Sequence, residues 1–371
     1  MSWSLTALSN RLGIKYPLVQ APMAGGFTSP ELVAAVCNAG GLGSFAAALL
    51  SPADIRSGVE QVRRLTAHPF NVNLFVLETP SPDAGEVKRA IELLGPIREE
   101  LGLPPGQPPA RWCQDFREQL EALIELRVPV ASFTFGLLDG ASIERLHRSG
   151  SVVIGTATNV AEARAWTGNG ADMICAQGAE AGAHRGTFLG GLDEGLIGSL
   201  ALVPQVVDAV GVPVIAAGGI ADGRGVAAAL VLGAAGVQLG TLFLNCAETP
   251  VHPVYRAALR GARETDTRIT RVFTGRSARG IVNEFMRRLD ARADEVPAYP
   301  VQSALTGEIR RMAADANRPE FMSLWAGQAV ALLARRPAGQ RAADLVAALV
   351  SETERALRRV SAAAGLGRQA S

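Results

Sequence analysis

The chain has 371 residues, of which 48% are hydrophobic and 19% charged, with a formal net charge of +1, a composition that supports a globular fold with a sizeable core. Its arginines are scattered instead of massed, which excludes nucleic acid and anionic membranes as partners and points to a small-molecule ligand. Lysine occurs only at Lys15 and Lys88, so Schiff-base chemistry has few candidates.

In chain order, MSWSLTALSNRLGIKYP has no uninterrupted apolar run followed by a cleavage site, and no later stretch reads as a membrane span. Eight short apolar runs then follow: LVQAP (18–22), LGSFA (42–46), VNLFV (72–76), VASFT (130–134), VVIGT (152–156), MICAQ (173–177), VIAAG (214–218) and VQLGT (237–241). Helical patterns separate most of them. SPELVAAVCNAGG is one, with Ser29 as cap, Pro30 in the first turn, Glu31 favouring the dipole and Gly40 as terminator. Apolar strands alternating with helices predict a parallel sheet buried on both faces. Eight such units over about 240 residues fit a (β/α)8 TIM barrel of ~250 residues. A doubly wound open sheet is the alternative. The barrel is favoured because polar and glycine-rich residues follow the strands' carboxyl ends, where a barrel assembles its site.

The barrel is expected over 1–246, with an excursion at 77–128 whose Pro-rich stretch LGLPPGQPPARW links two helices as an extended segment. From 247 to 319 the chain reads as a smaller, mainly helical second domain on the substrate side, over the barrel mouth. Residues 320–371 read as helices packing back on the barrel, and GLGRQAS as a frayed tail. Cys37, Cys113, Cys175 and Cys246 form no CxxC pair and no metal spacing; they read as reduced core residues of a cytoplasmic protein, without a metal site.

Three motifs carry chemistry. In VIAAGGIADGRG, Gly218 and Gly219 offer amides without a Cβ in the way, as a phosphate requires, and VQLGTLF adds a second set at Gly240 and Thr241. In QAPMAGG, Met23 and its small neighbours can lie flat against a planar ring, while the strand-end amides Asn73 and Gln177 can both donate and accept at the ring's edge. A phosphate site joined to an amide-lined planar pocket points to flavin mononucleotide, FMN. In AQGAEAGAHRGTF, small residues flank the side-by-side pair His184 and Arg185. The remaining histidines, His68, His147 and His252, sit in surface-like sequence and read as structural.

QAPMAGGFTSPELVAAVCNAGGLGS, FNVNLF, SFTFG, GTATNVAEA, AQGAEAGAHRGTF, PVIAAGGIADGRGV, GVQLGTLF, RVFTGRSARGIVNEF, AYPVQSALTGEIR and LWAGQ resemble, in order, the motifs of bacterial class I nitronate monooxygenases, formerly 2-nitropropane dioxygenases. The resemblance runs from about residue 15 to about residue 330. It implies an FMN-binding barrel with a second domain over its mouth, and FMN contacts at Met23, Asn73, Gln177, Gly182, Gly218, Gly219, Gln238, Gly240 and Thr241. It implies that His184 is the catalytic residue facing the flavin, either holding a nitronate as imidazolium or taking the α-proton of a nitroalkane as a base. Tyr299 and Trp325 match aromatic positions at the mouth, and Arg185 is open between substrate contact and a structural ion pair. Where family members commonly read AGGHRG this chain has Ala183, which strains the loop if its φ is positive. The Pro-rich linker matches no motif of the family.

The activity so implied is oxidation of an alkyl nitronate, such as propionate 3-nitronate, by FMN and O2 to a carbonyl compound and nitrite, without NADH. Two other readings stay open: an NADH-dependent FMN reductase of quinones or enoyl thioesters on the same fold, and a non-redox barrel that binds a phosphate ligand.

Overall fold

A computed structural model describes residues 2–363, so the tail expected at GLGRQAS lies outside the described residues. Each of the eight apolar runs is a strand: β1 Leu18–Gln20, β2 Ser44–Ala46, β3 Asn71–Phe75, β4 Val130–Thr134, β5 Val152–Ala157, β6 Met173–Gln177, β8 Val214–Ala217 and β9 Gly236–Leu239. A two-residue strand, β7 Ala183–His184, lies between the last three and is not part of this sheet. All neighbours in the order β1-β9-β8-β6-β5-β4-β3-β2 pair in parallel. The two edges meet through a parallel bridge between Val19 and Leu42, where Gln20 N donates to Leu42 O and Leu42 N to Leu18 O, both at 2.9 Å. Closure excludes the open sheet.

The period-two alternation of strand side chains sorts the core. Val130, Ile154, Met173, Cys175 and Ile215 fill the barrel interior, which Leu8 and Leu12 of the helix Ala7–Leu12 stopper. Ala131, Phe133, Val153 and Ile174 face outward against the helices. On the β2–β4 side the interior turns polar: Asn71 Nδ2 donates to Ser44 Oγ at 3.1 Å and to Ser132 Oγ at 2.8 Å.

The last barrel helix comes late. Helix Ala342–Ala363 packs against the helices Pro30–Asn38 and Gly223–Val231, the position of an eighth helix following β9. Gly223 is required there, because a Cβ on it would lie 2.2 Å from Thr353 N. Residues 247–341 are thus an insertion in the final βα connection, and one apolar core runs through Leu18 and Val237 of the barrel, Phe273 and Phe285 of the insertion, and Leu345.

Within the insertion, which is mainly helical, lie two short strands. These are β10 Thr267–Thr270 and β11 Ala278–Ile281, which form a three-stranded antiparallel sheet with β7. ARGIVNEFMRRLD starts as β11 and becomes helical only at Glu284–Leu289, after the Asn283 cap. Gly280 fits this: it is a poor helix former, and a Cβ on it would sit 2.9 Å from Leu324 O. The excursion's helices are Ala84–Glu100 and Phe116–Leu126. Arg98 folds the Pro-rich stretch back by donating to Pro104 O at 2.7 Å, and pairs at 2.6 Å with Glu308 of the insertion.

Candidate active site

A cavity of about 470 Å³ opens at the carboxyl ends of the barrel strands, under the insertion. The nine residues expected to hold the cofactor all line it. Met23 comes from the loop after β1, and Asn73 from β3, where its Nδ2 donates to Ser132 O at 3.1 Å. Gln238, Gly240 and Thr241 come from β9 and its loop, Gly218 and Gly219 from the loop after β8, and Gln177 and Gly182 from the β6 side.

The glycine loops have the geometry of an anion cradle. Gly218 and Gly219 have φ of +103° and +72°, values that L side chains rarely adopt. The amides of Gly219, Gly240 and Thr241 donate to no protein acceptor among the described residues, so their donors are left for a ligand. The first turn of the helix Gly223–Val231 is spent otherwise: Asp222 caps it, accepting from Arg224 N at 2.9 Å and Gly225 N at 3.3 Å.

The loop that carries His184 is held from four directions. Gln177 uses both ends of its amide on it, donating to His184 O at 3.1 Å and accepting from Gly186 N at 2.8 Å. Glu162, fully buried, accepts from Phe188 N and Leu189 N at 2.5 and 2.9 Å. Pairing of Ala183 with Arg279 and of His184 with Ala278 ties it to β11. Gly182 lets the backbone of the Trp325–Gly327 segment come close, since a Cβ there would lie 2.5 Å from Gly327 N. Ala183 has φ +61°, so its methyl does stand in the left-handed region, at a cost of about 1–2 kcal/mol.

The His184 ring sits in an aromatic cage. Phe135, Tyr299 and Trp325 have centroids 5.4, 5.6 and 5.6 Å from it, and Phe75 one at 6.4 Å. Tyr299 and Trp325 therefore reach the cavity as expected, whereas Phe75, Phe135 and Thr274 are additions. His184 Nε2 lies 2.9 Å from Thr274 Oγ1, and the Thr274 hydroxyl donates at 3.1 Å to Arg276 O. With its one proton committed, the hydroxyl accepts from the imidazole, which assigns the Nε2–H tautomer and leaves Nδ1 the lone pair. Burial, followed by the charges of Arg276 and Arg310, pushes the His184 pKa down to about 3. The ring is neutral at ordinary pH.

Arg276 stacks over Phe135 at 4.0 Å and donates to Arg185 O at 3.1 Å and to Thr187 O. Arg185 itself corrects the sequence reading on both counts. It is 1% exposed, does not line the cavity and pairs with no carboxylate among the described residues. Its guanidinium donates to Gly178 O at 2.6 Å and to Gln177 O and Gly195 O at 2.8 Å, bracing the β6 loop. His252 is half-buried and structural. It lines the far end of the cavity and caps the helix Pro253–Gly261, its Nδ1 accepting from Val254 N at 3.3 Å. The motifs FNVNLF, SFTFG and RVFTGRSARG contain Phe75, Phe135, and Thr274 with Arg276, and Phe135 is further marked as a non-glycine residue at φ +79°.

Fold and cavity together define a (β/α)8-barrel enzyme in which His184, presented by the β6 loop, faces a cavity covered by an insertion in the last βα connection. The chain belongs to the nitronate monooxygenase family, which it matches over residues 6–352. It is 41% identical over 345 residues to a probable nitronate monooxygenase of Staphylococcus aureus strain JH9, a match covering 93% of this chain and 97% of that one. Its structure resembles a nitroalkane oxidase from Streptomyces ansochromogenes, with a TM-score of 0.87 at 40% identity over 96% and 100% of the two chains. FabK from Thermotoga maritima is similar at a TM-score of 0.75 and 29% identity, over 96% and 99%. The chain is thus a flavin-dependent oxidoreductase that converts nitronates or nitroalkanes oxidatively. No helix among the described residues is long and apolar enough to cross a membrane, and no group of His, Cys, Asp or Glu among them could hold a metal.

Proposed function

We propose that the chain oxidises an alkyl nitronate with O2 to a carbonyl compound and nitrite, using FMN. The observation that carries this reading is a neutral, caged histidine facing a cavity whose wall has no carboxylate. An anion can approach such a site without like-charge repulsion.

The residues present fit FMN. Free amides at Gly219, Gly240 and Thr241 suit its phosphate, and Met23, Asn73, Gly182, Gly218 and Gln238 line the space for the rest. Gln177, which spends both amide ends on the His184 loop, also lines that space. When bound, FMN supplies the electron acceptor and the site at which O2 reacts. The chain's own residues position and shield. Phe75, Phe135, Tyr299 and Trp325 exclude water from the His184 ring, and Thr274 keeps its Nδ1 lone pair available to hold or take a proton. A nitronate is already carbanion-like, so positioning accounts for most of what the protein must contribute.

In this account residues 247–319 form the substrate-side cover and 320–363 return to the barrel. The four free cysteines support a cytoplasmic enzyme. The test is nitrite release and O2 uptake by FMN-loaded protein supplied with propionate 3-nitronate and no NADH. Turnover under those conditions supports the reading; a strict requirement for NADH supports a reductase of the FabK kind instead.

A further inference from the structure

Two charged side chains line the cavity, Arg310 and Arg311. Arg311 lies at the rim with Asp315 at 3.6 Å and Glu308 at 3.9 Å. Arg310, on the helix Gly307–Asp315, has no carboxylate partner among the described residues. Its Nη2 donates to Ser303 O at 2.8 Å, with Ser303 Oγ at 3.4 Å, and its Nε is buried without an acceptor. A half-buried guanidinium with one donor sealed off and others unspent is costly unless something supplies the missing charge. Elsewhere the chain supplies more from within: Arg98 has Glu308 at 2.6 Å and Arg336 has Glu352 at 2.6 Å, while Arg185, whose Nε also lacks an acceptor, donates to three carbonyls. At Arg310 no protein group does so, and the side chain faces the cavity that His184 and Tyr299 also line.

We infer that Arg310 is the oxyanion receptor of the cavity, binding the negatively charged group of the substrate and selecting anionic substrates over neutral ones. The inference rests on the nitronate reading. The oxyanion can be the nitronate itself or a carboxylate at the other end of the molecule; both present two oxygens to a planar guanidinium. Bound there, an anion would satisfy the free donors of Arg310 and offset the positive field that now bears on His184. A neutral nitroalkane would leave both unchanged.

The experiment uses the FMN-loaded enzyme and its Arg310→Met and Arg310→Lys variants, with Arg311→Met as control. Three substrates are compared: propionate 3-nitronate, propyl-1-nitronate and neutral 1-nitropropane. Arg310→Met is expected to lower kcat/KM for at least one nitronate by about 10- to 100-fold, the range for losing a charge-assisted hydrogen bond, with little change for the neutral compound. Arg310→Lys should recover part of the loss, and Arg311→Met should lose little. A loss confined to propionate 3-nitronate assigns Arg310 to the carboxylate, and an equal loss for both nitronates assigns it to the nitronate group. Unchanged kcat/KM for every substrate would overturn the inference. Calorimetric binding of nitrite and succinate supplies a second readout that needs no turnover. If wild type oxidises neither nitronate, the functional reading fails, yet weaker anion binding by Arg310→Met would still identify the receptor, and equal binding would remove it.

Discussion

The depressed pKa of His184 makes a sharp prediction about pH. A histidine of ordinary pKa, about 6.5, is ~90% protonated at about pH 5.5 and ~3% protonated at about pH 8. A mechanism needing imidazolium with that pKa would lose about 30-fold in rate across the interval, and one needing the neutral ring would gain about 10-fold. With the pKa held near 3 by burial, Arg276 and Arg310, the ring is neutral throughout. The histidine should therefore contribute no slope to kcat/KM for propionate 3-nitronate, measured by nitrite release at constant ionic strength. His184→Asn should lower the whole profile without changing its shape. A transition near pH 6.5 in wild type, absent in His184→Asn, would refute the reasoning. Stability carries the same signature. The folded pKa lies below the unfolded value, so protons bind the unfolded chain more tightly; the stabilisation is complete above about pH 6.5 and is lost as pH falls toward 3. Wild type should lose more stability than His184→Asn between those limits in urea titrations at fixed pH.

Other positions yield separate tests. Ala183→Gly relieves the left-handed strain at φ +61°; after allowance for glycine's greater unfolded freedom, it should stabilise the protein by roughly 0.5–1 kcal/mol, read as a higher urea midpoint. Thr274→Val removes the hydroxyl that fixes the imidazole tautomer. It should cost about tenfold in kcat, with Thr274→Ser retaining most activity, and 15N shifts of the His184 ring should report a changed tautomer only in the valine variant. Glu162→Ala leaves the amides of Phe188 and Leu189 and the Thr158 hydroxyl without their buried acceptor. A loss of about 3 kcal/mol or more in thermal or urea unfolding is expected, and an unchanged midpoint would show that water replaces the carboxylate.

The barrel was legible because its signal is local. Runs such as VASFT and VVIGT are strands by their apolar continuity, and the Ser29 and Pro30 cap starts the helix Pro30–Asn38 as read. The eighth helix was harder to place, since 102 residues, 240 to 341, separate it from β9; only packing on Pro30–Asn38 and Gly223–Val231 reveals it as part of the ring. β7, β10 and β11 were missed because each is short, and because β7 pairs with β11 across about 95 residues of chain. The cavity's glycines were readable from spacing, whereas the functions of Thr274 and Arg310 were not. A hydrogen bond from position 274 to position 184, or an arginine lacking a counter-ion, exists only once the chain is folded. Arg185 shows the converse: next to His184 in sequence, it turns away to brace three carbonyls.

The central claim is that a nitronate passes its electrons directly to a flavin in this cavity, with no nicotinamide donor. Mixing the FMN-loaded protein with propionate 3-nitronate under anaerobic conditions, and following the visible flavin absorbance, tests it most directly. The account predicts rapid loss of the band with nitronate and little change with NADH. An unchanged spectrum with nitronate, and rapid bleaching by NADH, would contradict it.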